Sequence, residues 1–273
     1  MNSLRKSIFS TCLACFASAS FVSGQILIYD YSEAMFFDNE AMARGAESPG
    51  YGRGTAMVDL DNDGRLDLIV TTAGMKDKFY RQEADQTFTL MNNAWSIPPH
   101  IDESWGVIAA DFDNDGDKDI YFSNGGFSGA EVNVMLRNDL NTSGKFENIS
   151  ASSGACASVL SNFGGSVLDY DNDGDLDIFL TAAVGYWSSA PQRCELYRND
   201  GLNPTTGVVQ FEEVGLAAGI TMLGDFRHCG VADYDNDGYM DIMVGSYDDN
   251  NLSELHCASC GVRAFVAKAL TPQ

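Results

Sequence analysis

Four short segments concentrate the residues that could do chemistry: DLDNDGRLDL at 59–68, DFDNDGDKDI at 111–120, DYDNDGDLDI at 169–178 and DYDNDGYMDI at 233–242. Each places carboxylates at positions 1, 3, 5 and 9 of the loop. Oxygen-only donors at alternate positions suit a hard cation, and Ca²⁺ in particular, because it accepts many oxygens in a flexible geometry. The ligands read from this spacing are Asp59, Asp61, Asp63 and Asp67, with the main-chain carbonyl of Arg65 at position 7. The second loop supplies Asp111, Asp113, Asp115 and Asp119, with the carbonyl of Asp117. The third supplies Asp169, Asp171, Asp173 and Asp177, with that of Asp175; the fourth Asp233, Asp235, Asp237 and Asp241, with that of Tyr239. Unrelated residue types at position 7 are what a main-chain donor permits. Glycine at position 6, Gly116 in the second loop, allows the sharp turn, with a positive φ expected. Position 2 (Leu60, Phe112, Tyr170, Tyr234) points away from the ion and packs on the sheet.

Rival readings fail on specific residues. An EF-hand loop opens the same way but needs an acidic ligand at position 12 and flanking helices. Here position 12 holds Val70, Phe122, Leu180 and Val244, and the flanks are β-prone. Mg²⁺ prefers rigid octahedral sites with retained waters. Zn²⁺ prefers Cys or His, which these loops lack. One D-N-D-G is a good solvated turn, but four in-register copies with a carboxylate at every ligand position exceed what a turn requires.

The remaining composition narrows the function. The chain has 273 residues, is 45% hydrophobic and carries a formal charge of −23, so nucleic acid is excluded as a partner for want of a basic face. Eighteen of its 39 acidic residues lie in the four loops, so the acidity is patterned and is not a diffuse tail. Only three histidines occur (His100, His228, His256), and neither a G-x-S-x-G elbow nor H-E-x-x-H is present. The expectation is therefore a protein that is not an enzyme. HCASC at 256–260 lacks the second cysteine pair that a metal site would need. Seven cysteines, two of them in the first 24 residues, make no disulfide framework, though one bridge among Cys156, Cys194 and Cys229 stays open.

The elements that must hold the loops repeat with them. First loop aspartates at 59, 111, 169 and 233 give steps of 52, 58 and 64 residues, too long for common helical repeats and suited to four-stranded propeller blades. Five residues before each loop stands Gly54, Gly106 or Gly164, with His228 in the fourth copy. Short apolar runs flank each loop: TAMV, VIAA and GSVL before, DLIV, DIYF, DIFL and DIMV after, which predicts paired strands across a tight turn. FYRQ (79–82), MLRN (135–138) and LYRN (196–199) mark a third strand; FTLM (88–91), FENI (146–149) and FEEV (211–214) a fourth. FFDN at 36–39 matches that fourth-strand signature ahead of the first loop, as a ring-closing strand would. After the fourth loop the pattern breaks: NNLSEL (250–255) is a remnant third strand, and 251–273 is read as an aberrant tail of a truncated product.

These D-x-D-x-D-G-x-x-D loops, framed by glycine and short strands, resemble the FG-GAP/VCBS repeats of integrin-α-type β-propellers. LYRNDG (196–201) and FEEVGLAAGI (211–220) are similar to the cartilage acidic protein and ASPIC/UnbV-like branch. The resemblance implies an all-β propeller of seven blades, with Ca²⁺ clamped between the first two strands of a blade. About four blades are legible here, over residues 25–250.

Residues 1–24 read as a secretory signal: Arg5 and Lys6, an apolar centre, and small residues offering cleavage after Ala19 or Gly24. The mature chain has no other run apolar enough to span a membrane. NTS at 141, NIS at 148 and NLS at 251 are glycosylation acceptors where the source glycosylates secreted proteins. Trp95, Trp105, Trp187 and Tyr186 are expected to pack in the core, with sugar stacking as the alternative. The whole is a secreted (extracellular or periplasmic), non-catalytic binding or adhesion module with about four structural Ca²⁺. Its partner is an extracellular protein or glycan, met by the inserts at 122–134 and 181–195. The alternatives are the propeller portion of a glycan- or phosphodiester-cleaving enzyme, or a remnant without function of its own.

Overall fold

The computed structural model describes residues 19–22, 25–28, 39–48, 50–99, 104–125, 132–156, 160–183, 192–221, 223–246 and 263–267. The chain divides into two units, Met1–Glu40 and Ala41–Gln273. In the first, strands β1 (Ala19–Val22) and β2 (Gln25–Ile28) pair antiparallel across residues 23–24. Residues 1–18 of the expected signal and most of the expected strand at 36–39 lie outside the described residues.

The second unit is built from the repeat. Its first sheet is β3 (Tyr51–Val58), β4 (Asp67–Ala73), β5 (Lys78–Gln82) and β6 (Phe88–Leu90), antiparallel and in chain order. The second is β7 (Ser104–Ala110), β8 (Asp119–Asn124), β9 (Val134–Asp139) and β10 (Lys145–Asn148), followed by one helical turn, α1 (Ser150–Ser153). In the third, β11 (Asn162–Leu168) and β12 (Asp177–Ala182) are followed by the short β13 (Gln192–Arg193), then by β14 (Glu195–Leu202) and β15 (Val209–Glu213). β13 pairs instead with β16 (Leu223–Gly224). The fourth sheet has β17 (Phe226–Ala232), β18 (Asp241–Ser246) and β19 (Arg263–Ala267). All four aspartate loops therefore join the first two strands of a sheet, and the position-9 aspartate opens the second strand each time.

One expectation changes. β19 occupies the third-strand place of the fourth sheet, pairing Ile242 with Ala267 as Ile120 pairs with Leu136. The proposed remnant at 250–255 lies outside the described residues. A five-residue run with Phe and Val meets the β requirement as well as the expected motif does, although it lacks that motif's Arg–Asn pair.

The sheets are held by what lies between them. β3 neighbours β7, β7 neighbours β11, and β11 neighbours β17. Leu60, Ile69 and Phe79 of the first sheet meet Phe122, Leu136 and Phe146 of the second. Phe112 and Tyr121 of the second meet Leu180, Tyr197 and Phe211 of the third. Phe179 and Leu196 of the third meet Phe226, Ile242 and Val244 of the fourth. Each such side chain removed from water contributes about 1.5–3 kcal/mol, so stability resides in the junctions. The turns after the fourth strands add to this. Trp95, buried as expected, carries the carbonyl that accepts from Phe146 N at 3.2 Å, and the Arg44 carbonyl likewise accepts from Phe88 N at 2.7 Å. The turn at 41–46 thus meets the first sheet as 92–97 meets the second, the place a preceding fourth strand would give it.

Cys156, Cys194 and Cys229 are all free thiols, so the open disulfide is not formed. Burial pushes them up to about 12, 12 and 11. No helix among the described residues is long and apolar enough to cross a membrane.

Candidate metal centres

Each loop folds around its own aspartates. The position-1 carboxylate accepts two backbone N–H groups: Asp59 from Asp63 at 3.1 Å and Gly64 at 2.8 Å, Asp111 from Asp115 at 3.1 Å and Gly116 at 3.0 Å. Asp169 and Asp233 repeat the pattern. At position 5, Asp63, Asp115, Asp173 and Asp237 accept from the N–H of position 7, at 2.8–3.0 Å. Gly116 has φ 95°, as expected, and position 4 is also left-handed: Asn62, Asn114, Asn172 and Asn236 have φ of 56–61°. Asparagine tolerates that region because its short amide can bond locally.

Position 9 ties the loop to the sheet. Asp67 accepts from Leu60 N at 3.0 Å and Gln82 N at 2.9 Å; Asp119 from Phe112 N and Asn138 N; Asp177 from Tyr170 N and Asn199 N. The third-strand Arg–Asn or Arg–Gln pair thus serves the loop, since its second member supplies the N–H. Asp241 accepts from Tyr234 N at 3.0 Å, but its buried Oδ1 has no partner among the described residues.

Four groups of carboxylate oxygens result, each within 4.8 Å of one another: Asp59, Asp61 and Asp67; Asp111, Asp113 and Asp115; Asp169, Asp171 and Asp177; Asp233, Asp235 and Asp241. Burial raises the Asp67 carboxyl to about 6, Asp177 to about 7 and Asp119 to about 8, against the pull of the amides. Asp61, Asp113 and Asp171 are raised too, first by burial and then by the adjacent position-5 carboxylate. The positive charges of Arg81, Arg137 and Arg198 act on these three in the opposite sense. Buried Asp61 Oδ1 and Asp171 Oδ1 have no hydrogen-bond partner among the described residues. Clustered oxygens that hold protons above their ordinary range, some without any donor, fit a hard cation. Two loops also pair a carboxylate with a cation of their own: the Arg65 guanidinium with Asp63, and Lys118 Nζ with Asp111 at 3.9 Å.

The expected position-2 packing holds for the first two loops, where Leu60 and Phe112 are buried, and in part for Tyr170; Tyr234 is exposed. Leu60 and Phe112 pack against the following sheet, as does Tyr170 in part.

Sequence reasoning missed the position-4 asparagines. Asn62 Nδ2 donates to Asp117 Oδ1 of the next loop at 2.6 Å, Asn114 to Asp175 Oδ1 at 2.7 Å, and Asn172 to the Gly238 carbonyl at 3.0 Å. Bonds also run backwards: Asn138 Nδ2 donates to the Leu60 carbonyl and Asn199 Nδ2 to the Phe112 carbonyl, both at 2.8 Å. The available signal was the same Asn in all four copies, at a place where any turn former would serve.

Comparison with known proteins gives a family and relatives. The FG-GAP-like repeat model matches residues 59–122 and 169–244. Cartilage acidic protein 1 of Homo sapiens is 27% identical over 184 residues, 65% of this chain and 27% of that protein. The Mus musculus protein of that name is 27% identical over 161 residues (57% and 24%), and that of Xenopus tropicalis 29% over 136 (48% and 21%). The chain spans about a quarter of the length of these curated relatives.

Proposed function

The chain belongs to the FG-GAP-like repeat family, and from that premise we propose that it is a secreted, calcium-stabilised β-propeller module that binds a partner and catalyses no reaction. The observation that carries this reading is the four clusters of carboxylate oxygens, each within 4.8 Å: positions 1, 3 and 9 of the first, third and fourth loops, and positions 1, 3 and 5 of the second. Positions 1, 3, 5 and 9 would supply side-chain oxygens, and Arg65, Asp117, Asp175 and Tyr239 their carbonyls. The ion adds the positive charge that lets these carboxylates ionise together. Successive sheets with neighbouring first strands support the blade arrangement, and the leader-like pattern of residues 1–24 supports secretion.

With extracellular-grade sites near ~10⁻⁴ M and calcium at about 1 mM, linkage gives roughly 1.4 kcal/mol per site and about 6 kcal/mol for four. That approaches the net stability of a domain, so the metal's role is structural. Stripping calcium with EDTA is expected to lower Tm by about 10–20 °C, with readdition restoring it. A melt indifferent to EDTA would remove the reading. Turnover of any glycan or phosphodiester class by the calcium-loaded chain would instead favour an enzyme.

A further inference from the structure

The position-9 aspartates of the first three loops are joined by an unbroken line of hydrogen bonds. Asp67 Oδ2 accepts from Leu60 N at 3.0 Å, and the Leu60 carbonyl accepts from Asn138 Nδ2 at 2.8 Å. Asn138 N donates in turn to Asp119 Oδ1 at 2.8 Å, and Asp119 Oδ2 accepts from Phe112 N at 3.3 Å. The step then repeats. The Phe112 carbonyl accepts from Asn199 Nδ2 at 2.8 Å, Asn199 N donates to Asp177 Oδ1 at 2.7 Å, and Asp177 Oδ2 accepts from Tyr170 N at 2.6 Å. One third-strand asparagine thus touches two loops, its side chain on one and its backbone on the next.

Two properties make this line a mechanical link. It is dry: Asp67, Asp119, Asp177, Asn138 and Asn199 are all wholly buried. A member that moved alone would leave a buried polar group unpaired, at a cost of about 1–3 kcal/mol, so a displacement of one peptide is passed to the next. It also meets each loop at a ligand-bearing place. The Leu60 carbonyl lies between Asp59 and Asp61, and that of Phe112 between Asp111 and Asp113. In every loop like-charged oxygens stand within 4.8 Å and repel one another. Gathering them around a cation orders the loop, and a neighbour already held in place loses less freedom when it loads. Asn62 and Asn114 add a second path beside the first, to Asp117 and Asp175.

The fourth loop stands outside this line. Asp241 Oδ1 has no partner among the described residues, and Asn172 Nδ2 reaches the Gly238 carbonyl by an exposed bond of 3.0 Å. On the premise that the loops take Ca²⁺, we propose that Asn138 and Asn199 couple the first three sites, so that filling one tightens its neighbours, while the fourth fills on its own. Neither asparagine is a ligand; each is a positioning residue for two loops at once. Charge alone gives the opposite sign, since one bound cation repels the next, weakly in salt.

Calcium titration of the full chain, followed by NMR at the amides of Gly116 and Gly238, tests this, because each donates to the position-1 carboxylate of its loop. Asp171→Asn cripples the third loop, the neighbour of both. The Gly116 midpoint should move to about fivefold higher calcium or more, and the Gly238 midpoint by less than about twofold. In an Asn199→Ala background, which keeps the N–H on Asp177, the effect of Asp171→Asn on Gly116 should fall to about twofold or less. An asparagine with a merely structural role would lower Tm and leave that effect intact. Equal shifts at both glycines, no shift, a shift to lower calcium, or one that survives Asn199→Ala would overturn the proposal. If Asn199→Ala fails to fold, Asp61→Asn with Asn138→Ala, read again at Gly116, replaces it. Loops that all titrate but do so independently overturn the coupling alone; no response from any loop removes the calcium reading with it.

Discussion

The first three sheets and the fourth carry nearly the same loop, yet their surroundings differ. Leu60 and Phe112 are 0% and 1% exposed beneath the sheet that follows, whereas Tyr234 at the same loop position is 69% exposed. Ile69, Tyr121 and Phe179 are wholly buried, while their counterpart Met243 is 47% exposed. Asp67, Asp119 and Asp177 each accept an amide from the third strand, and Asp241 Oδ1 has no partner among the described residues. Gly54 and Gly164 bond the hydroxyls of Thr71 and Thr181 on the second strand, whereas the fourth sheet sets His228 against Gly245. The lesson is that a repeat unit here is not a closed object. Part of its packing, and part of its loop, is supplied by the next one.

The sharpest test of this contrast is a single methyl group. Gly54→Ala drives a Cβ to 2.7 Å from the Trp105 carbonyl oxygen and 3.3 Å from Gly106 Cα, both backbone, and should cost about 2–3 kcal/mol. His228→Ala at the equivalent position should stay within about 0.5 kcal/mol. Urea denaturation of both calcium-loaded variants measures the difference, and equal losses would erase the distinction between the sheets.

A smaller effect, on the metal-free protein, follows from the carboxyls at about 6, 7 and 8 in the first three sheets. Between the ordinary value of 3.8 and those values the native chain binds more protons than the unfolded one. Stability therefore falls as pH rises through this window. In EDTA, Tm at pH 5 should exceed Tm at pH 8 by several degrees. With calcium the order should reverse, because protons then compete with the ion. Asp119→Asn, which removes the highest of the three, should flatten the EDTA slope more than Asp67→Asn.

The smallest expected difference lies in the asparagines. Asn114→Gly keeps the left-handed conformation free of strain but deletes the 2.7 Å bond to Asp175, a loss of about 1 kcal/mol. Asn236→Gly should be neutral. Parallel thermal melts decide it, and equal shifts would show that the links between loops carry no stability.

How much of this was legible in the sequence follows from where each signal lies. The loops, the strand on either side and the third and fourth strands of three sheets were readable because each copy carries its own punctuation. The LYRN motif announces β14 directly. What each copy does to its neighbour was not readable. Asn62 reaches Asp117 across 55 positions, and nothing local marks that acceptor. Likewise the first-strand register shifts around Trp105 and Phe163, whose rings stack at 4.1 Å, arise from strand pairing, which apolar alternation near a glycine does not encode. β19 was missed because its residues share β propensity with the other third strands but not their Arg–Asn signature.

The bonds from one loop to another run forwards along the chain, while those from the third strands run back to the preceding loop. Asn62, Asn114 and Asn172 each donate to the loop that comes later in the chain. Such an array behaves as a one-dimensional series in which each unit leans on its neighbours, and its weakest member is the one with least cover. Local opening should therefore be easiest around the exposed Tyr234 and Met243 and hardest at the junctions among the first three sheets. A protease working on the native protein would meet its least protected backbone there first.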